Sequence, residues 1–230
     1  ALVEHLEEGV AMKLIALNGS PRPKWNTAQL LDKVVEGAQA AGTAAKLVHL
    51  YDLNFKGCVS CFACKRLEGP SYGRCAMRDD LTSILAEIHE ADALVIGTPV
   101  YMGGETSGFR AFLERAVFPY FTYTNPPGSL FPRRIPTAVV YTMGAPEEAA
   151  KAVGFDYFMN FTRRFLELAY GPCELFKCAD TLQFEDYGKY ESSMFDPAVK
   201  VKRHQKIFPR DQQLAFELGQ RLSTPQSSEM

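Results

Sequence analysis

Cys58, Cys61 and Cys64 are spaced C-x2-C-x2-C, and Cys75 follows after ten intervening residues, in a 230-residue chain that has only two other cysteines. Three thiolates at this spacing can converge on the faces of one iron-sulfur cube, with a fourth ligand arriving from farther along the chain. Zinc suits the run less well, because structural zinc takes separated pairs of ligands in a tetrahedral cage. Free or redox-active thiols are the third reading, and Lys65 and Arg66 stand where they would lower the pKa of neighbouring thiols. Cys173 and Cys178 lie five apart on a predicted strand, so they face opposite sides and read as packing.

A second chemical stretch is Gly19-Ser20-Pro21-Arg22-Pro23-Lys24-Trp25-Asn26-Thr27, between an apolar run and a helical pattern. Free N–H groups at a helix mouth, the side chains of Ser20, Asn26 and Thr27, and the charges of Arg22 or Lys24 are suited to a phosphate. The stretch is neither a GxxxxGK[ST] loop nor a GxGxxG fingerprint, so a monophosphate is the better fit. The third stretch is TPVYMGGETSG, residues 98–108. Pro99 and Tyr101 offer flat apolar surface to a planar heterocycle, and Gly103 and Gly104 leave backbone N–H groups accessible. His49, His89 and His204 have no partners in sequence, and neither G-x-S-x-G nor H-E-x-x-H occurs, so hydrolase chemistry has no support.

Elements that would position these groups alternate regularly. KLIALN, AKLVHL, ADALVIGTP, PTAVVYTMG and CELFKCADTLQF read as strands. Helices are expected from Thr27 to a stop at Gly42, over DDLTSILAEIHEA, over SGFRAFLERAVF with Ser107 as cap, over roughly 147–169, and from Asp211. Residues 57–75 read as a long loop, 118–134 as an aromatic, proline-rich insert able to cover a ligand or form a subunit interface, and 185–209 as irregular. Alternation of this kind calls for a parallel sheet covered on both faces, with the ligand beyond the carboxyl ends of the strands. The loops at 19–27, 98–106 and 143–147 then matter most.

Length and the lack of an internal linker favour one domain over residues 12–222. The first eleven residues read as an extension or a cloning remnant, and 223–230 as a tail. A net charge of −2 argues against nucleic acid or an anionic membrane as the main partner. The sequence shows no apolar run of membrane-spanning length, no secretory signal pattern and no secreted disulfide framework, so a cytoplasmic location is expected.

GSPR..NT after the first strand, TPVYMG after the third, Phe112-Leu113-Glu114-Arg115 in the next helix and TMG after the fourth strand together resemble the flavodoxin-like NADPH-dependent FMN reductase family, particularly its iron-sulfur flavoprotein branch. The resemblance covers roughly residues 12–183. It implies an α/β flavodoxin-like doubly wound sheet of five parallel strands in the order 2-1-3-4-5. It further implies that Ser20, Arg22, Asn26 and Thr27 hold the FMN phosphate, that Pro99, Val100, Tyr101, Met102, Gly103 and Gly104 line the ring, and that Met143, Gly144 and Ala145 flank it. Cys58, Cys61, Cys64 and Cys75 would be ligands of a 4Fe-4S cluster, although ten residues before the fourth cysteine is longer than usual in that branch. Trp25 also departs from the small residue common before Asn-Thr.

The expected activity is FMN-dependent electron transfer between NAD(P)H, or a reduced carrier such as ferredoxin, and a small acceptor such as a quinone or flavin. The chemistry would be borne by the flavin, with no catalytic acid or base, in a homodimer or homotetramer. Two rival readings are a non-enzymatic flavodoxin-like electron carrier and a thiol redox sensor.

Overall fold

A computed structural model describes residues 12–224. The order is β1 (Lys13–Asn18), α1 (Asn26–Ala40), β2 (Ala44–His49), α2 (Leu81–Glu90), β3 (Ala93–Pro99), α3 (Ser107–Val117), β4 (Thr137–Thr142), α4 (Glu147–Ala152), α5 (Phe155–Ala169), β5 (Cys173–Cys178), α6 (Pro197–Lys206) and α7 (Phe208–Leu222). The strands form one all-parallel sheet, β2-β1-β3-β4-β5, which is the expected doubly wound order. β1, β3 and β4 are central, and their residues are buried almost throughout, as strands covered on both faces require. The extension at 1–11 and most of the tail fall outside the described residues.

Two apolar layers flank the sheet. One packs α2, α3 and α5 against Leu17, Ile96, Val139 and Tyr141. The other packs Leu30, Leu31, Val34 and Ala38 of α1 with Ala215, Leu218 and Leu222 of α7 over Leu14, Val95 and Val140. The two helices of that second layer touch through glycine. A Cβ on Gly37 would meet the Phe216 carbonyl oxygen at 1.9 Å, and one on Gly219 would meet that of Val34 at 2.0 Å.

Several boundaries differ from the sequence reading. Thr106, not Ser107, caps α3, accepting from the Phe109 N–H at 3.3 Å. The expected 147–169 helix is two helices, broken at Gly154 with φ 81°. β5 stops at Cys178, because Asp180 takes a left-handed turn with φ 54°. Part of the segment read as irregular is α6, and α7 begins three residues before Asp211. Cys173 and Cys178 do join opposite layers. The aromatic insert joins the end of α3 to the start of β4, opposite the carboxyl ends of the strands. Its Tyr120 and Phe131 are buried against Tyr170, with ring centroids 5.7 and 4.8 Å from it, while Tyr123 is exposed.

Candidate functional site

The three expected loops meet at the carboxyl ends of β1, β3 and β4. Thr106 ties two of them together: its hydroxyl donates to the Gly19 carbonyl at 2.6 Å, and its N–H donates to Thr98 Oγ1. Gly19 lies so close to β3 that a Cβ there would stand 3.0 Å from the Gly97 oxygen. After β3 the chain reverses in a tight turn. Tyr101 N–H donates to Gly104 O at 2.8 Å and Gly104 N–H to Tyr101 O at 3.0 Å, with Met102 (φ 50°) and Gly103 (φ 77°) in the left-handed region. That is the geometry of a two-residue hairpin turn, which favours glycine at such positions. Gly104 therefore spends its N–H inside the turn. The tip remains open, with Tyr101 exposed and Met102 fully so.

Beside this turn lies a cleft of about 800 Å³, walled by Val100, Met102 and Gly103 from one loop and Met143, Gly144 and Ala145 from the next. Its far wall was not foreseen from sequence: Gln183, Phe184, Phe195 and Lys200 come from the segment after β5. That segment is strapped down by Asp180 N–H to Ala145 O at 2.9 Å and Thr181 N–H to Met143 O at 2.9 Å. Lys200, nearly buried, donates to the Gly144 carbonyl and pairs with Asp180, and its ammonium sits 5.0 Å from the Phe195 ring centre. This buried ammonium has no signal in sequence: α6 buries only this lysine, so the helix has no apolar stripe to find.

The same strap crosses the mouth of α1. Trp25 is the N-cap residue of α1 but caps no helix N–H with its side chain; its indole instead donates to Leu182 O at 3.1 Å. Asn26 Nδ2 donates to the same carbonyl at 2.8 Å, Arg22 to Gln183 O at 2.9 Å, and Thr27 Oγ1 bonds Thr142 Oγ1 at 2.7 Å. Arg22 also stacks 4.0 Å over the Trp25 ring. Ser20 Oγ accepts from the Arg22 N–H, so its own proton is free to be donated. The first-turn N–H groups have no intrahelical acceptor by construction of a helix. Those amides, the Ser20 hydroxyl, the remaining guanidinium N–H groups of Arg22 and the exposed Lys24 form a donor set suited to one phosphate. A cleft within the usual 300–1,000 Å³ range for small-molecule sites stands next to it, so the residues fit FMN.

The cysteines present a different picture. Cys58 and Cys75 are half-buried, Cys61 is exposed and Cys64 is buried. Among the described residues no three of His, Cys, Asp and Glu are placed to hold a metal together. Cys58 Sγ accepts from the Ser60 N–H at 3.4 Å, and Cys75 Sγ from Arg115 Nε at 3.3 Å. Ser60 and Phe62 both have positive φ, 53° and 54°, which for a bulky phenylalanine is a strained conformation. Burial pushes the Cys64 thiol up, with the Lys65 charge opposing but not reversing it. Lys65 itself turns inward and donates to the carbonyls of Phe118, Pro119 and Phe121, fastening the cysteine loop to the end of α3. The donor arrangement thus does not fit a cluster.

Another groove of about 710 Å³ lies at the opposite edge of the sheet, lined by Lys13, Ala44, Lys46 and Ala86. Its surface is mostly apolar, and of the charged residues on it Lys46 and Glu87 are paired with each other.

An iron-sulfur flavoprotein of Archaeoglobus fulgidus is 40% identical over 105 residues, 46% of this chain and 49% of that protein. Iron-sulfur flavoprotein MJ1083 of Methanocaldococcus jannaschii is 32% identical over 105 residues, 46% of this chain and 52% of its own length. The chain thus spans about half the length of these curated relatives. Among solved structures, an NAD(P)H:quinone oxidoreductase from Methanothermobacter marburgensis superposes with a TM-score of 0.67 at 18% identity, over 93% of this chain and 100% of that one. An FMN-dependent NADH-azoreductase from Bacillus anthracis, solved with FMN, gives 0.63 at 12% identity, over 92% and 100%. At such identities the likeness shows the flavodoxin-like fold. The family model for NADPH-dependent FMN reductase matches residues 12–153, so the chain belongs to the NADPH-dependent FMN reductase family.

Proposed function

We propose that the chain is an FMN-dependent oxidoreductase that passes reducing equivalents from NAD(P)H to a small acceptor such as a quinone or free flavin. The observation that carries this reading is the ring-sized cleft between the 100–104 and 143–145 loops, opening beside a helix mouth furnished for one phosphate. The family match and the named activities of the structural neighbours point the same way.

Bound FMN would supply the exchange of two electrons with a hydride donor; the protein binds and orients it. Ser20, Arg22 and the α1 amides hold the phosphate. Val100, Met143 and Ala145 give the ring an apolar bed. The N–H groups of Met102, Gly103 and Gly144 are available to a ring edge that gains negative charge, in the manner of an oxyanion hole. Exposed Tyr101 and Met102 leave one side of the cleft open to a second reactant. No electron step is assigned to Cys58, Cys61, Cys64 or Cys75, because they do not assemble as ligands.

A homo-oligomer is part of the proposal. Tyr157, Phe161 and Phe165 form an exposed aromatic stripe along α5, and Tyr123 adds to the exposed aromatic surface; an apolar face of this kind marks association sites. The deciding experiment titrates FMN into apoprotein, following quenching of flavin fluorescence, and then follows NADPH oxidation with a water-soluble quinone. Stoichiometric binding with steady turnover supports the reading. Binding without NADPH oxidation, in a protein that relays electrons only from reduced ferredoxin, would assign it to the carriers.

A further inference from the structure

Away from the flavin cleft, a second cavity of about 230 Å³ opens between α2, the loop at 70–78 and the end of α3. Its wall carries the guanidinium groups of Arg74, Arg78 and Arg115, the imidazole of His89 and the phenol of Tyr120, and no carboxylate. We propose that this cavity is a binding site for a small tetrahedral oxyanion of the phosphate or sulfate type.

The polar groups have been oriented as donors. Arg74 lies 3.1 Å from His89 Nε2, and a guanidinium can only donate, so that nitrogen is the acceptor. The imidazole proton then sits on Nδ1, 3.3 Å from Tyr120 Oη, and is donated to it. The phenol's own proton is left to point into the cavity. Burial, together with the nearby charges of Arg74 and Arg133, pushes His89 down against the opposing charge of Glu90, which keeps the imidazole neutral. Burial likewise pushes Tyr120 up, so its hydroxyl stays a donor.

Charge follows the same sign. Arg115, with its side chain fully buried, is balanced by Asp79 and forms the floor. Arg74 and Arg78 have no carboxylate partner among the described residues, leaving the cavity with an excess of about two positive charges. Arg133 adds a third cation behind the wall, where it donates to the carbonyls of His89 and Ala91 at 2.9 and 2.5 Å. A volume below the range of drug-sized sites excludes a nucleotide and admits a small anion. Charge-assisted hydrogen bonds from guanidinium forks are the usual means of holding such an ion.

The test uses FMN-saturated protein, so that the mouth of α1 is already filled. Binding of inorganic sulfate and phosphate is measured by isothermal calorimetry against chloride at matched ionic strength. Saturable binding of one anion per chain is expected, weakened about tenfold or more by Arg78→Ala, since one charge-assisted bond is lost, and weakened less by Tyr120→Phe. Lys33→Ala, which removes a surface cation on α1 away from both sites, should leave it unchanged. Absence of saturable binding would overturn the proposal. So would binding that survives Arg78→Ala, or that Lys33→Ala weakens as much as Arg78→Ala does, which would mean attraction to surface charge and no site in this cavity.

Discussion

Replacing Asp79 should loosen one of the joints between the cysteine loop and α3, the Lys65 joint being left intact. Its carboxylate takes two hydrogen bonds from Arg115, at 2.5 and 2.9 Å, while Arg115 also donates to Lys56 O at 3.0 Å and to Cys75 Sγ at 3.3 Å. The Arg115 side chain is 0% exposed and that of Asp79 18%. Removing one partner of a buried pair costs about 3–5 kcal/mol, because the other charge is stranded away from water. Arg115 keeps its two other acceptors and Asp79 is partly wet, so Asp79→Ala belongs at the lower end, about 3 kcal/mol. Asp79→Asn retains one acceptor and should lose about 2 kcal/mol.

With a urea slope of about 2–3 kcal/mol per molar for a domain of this size, the alanine variant should unfold about 1 M earlier. The pH dependence is equally defined. Hydrogen bonding to Arg115 holds the Asp79 carboxyl below the ordinary carboxylate range, so the unfolded chain binds the proton more readily. The stabilisation is complete above the unfolded value of about 4 and is lost as pH falls through the folded one. Urea unfolding of wild type and Asp79→Asn from pH 7 downward should show a constant gap to about pH 5 that closes in acid. A gap that persists unchanged into acid, or one under about 1 kcal/mol at pH 7, would refute the assignment of this pair as a structural joint.

Three further substitutions probe other joints. Lys200→Met strands Asp180 and the Gly144 carbonyl; a loss of about 2–3 kcal/mol in urea unfolding and weaker FMN binding by fluorescence titration are expected. Thr106→Val removes the α3 cap and the donor to Gly19 O, costing about 2 kcal/mol in thermal or urea unfolding. Gly219→Ala gains about 1 kcal/mol of helix propensity but drives a methyl group to 2.0 Å from Val34 O, so net destabilisation is expected, and a raised melting temperature would contradict the packing of α1 on α7.

Much of the scaffold is legible because buried parallel strands and capped helices leave strong patterns. ADALVIGTP is a nearly unbroken apolar run, and it is the central β3. The loops at 19–27, 98–106 and 143–147 come together as expected because topology fixes where such loops lie. What sequence conceals is the third wall of the cleft. Asp180 ends β5 by a left-handed turn that no side chain announces, and Leu182 and Gln183 act through their carbonyls, which are the same in every residue. The cap of α3 is Thr106, whose extended backbone precedes the first helical residue Ser107 and whose hydroxyl also reaches Gly19. Spacing alone brings the cysteines together on paper; the positive φ at Ser60 and Phe62 and the inward turn of Lys65 distribute them differently in space.

The glycine contact between α1 and α7 has a consequence for synthesis. α1 leaves the ribosome well before the helix that covers its Leu30, Val34 and Ala38, which is made only from residue 208 onward. At about 5–20 residues per second that interval is about ten to thirty seconds. During it the nascent chain carries a bare apolar ridge beside an unfinished sheet, the kind of surface on which chaperones act and aggregates begin. Ribosomes stalled before residue 208 should therefore hold a chain that binds a hydrophobic dye, and release of the α7 codons should extinguish that signal.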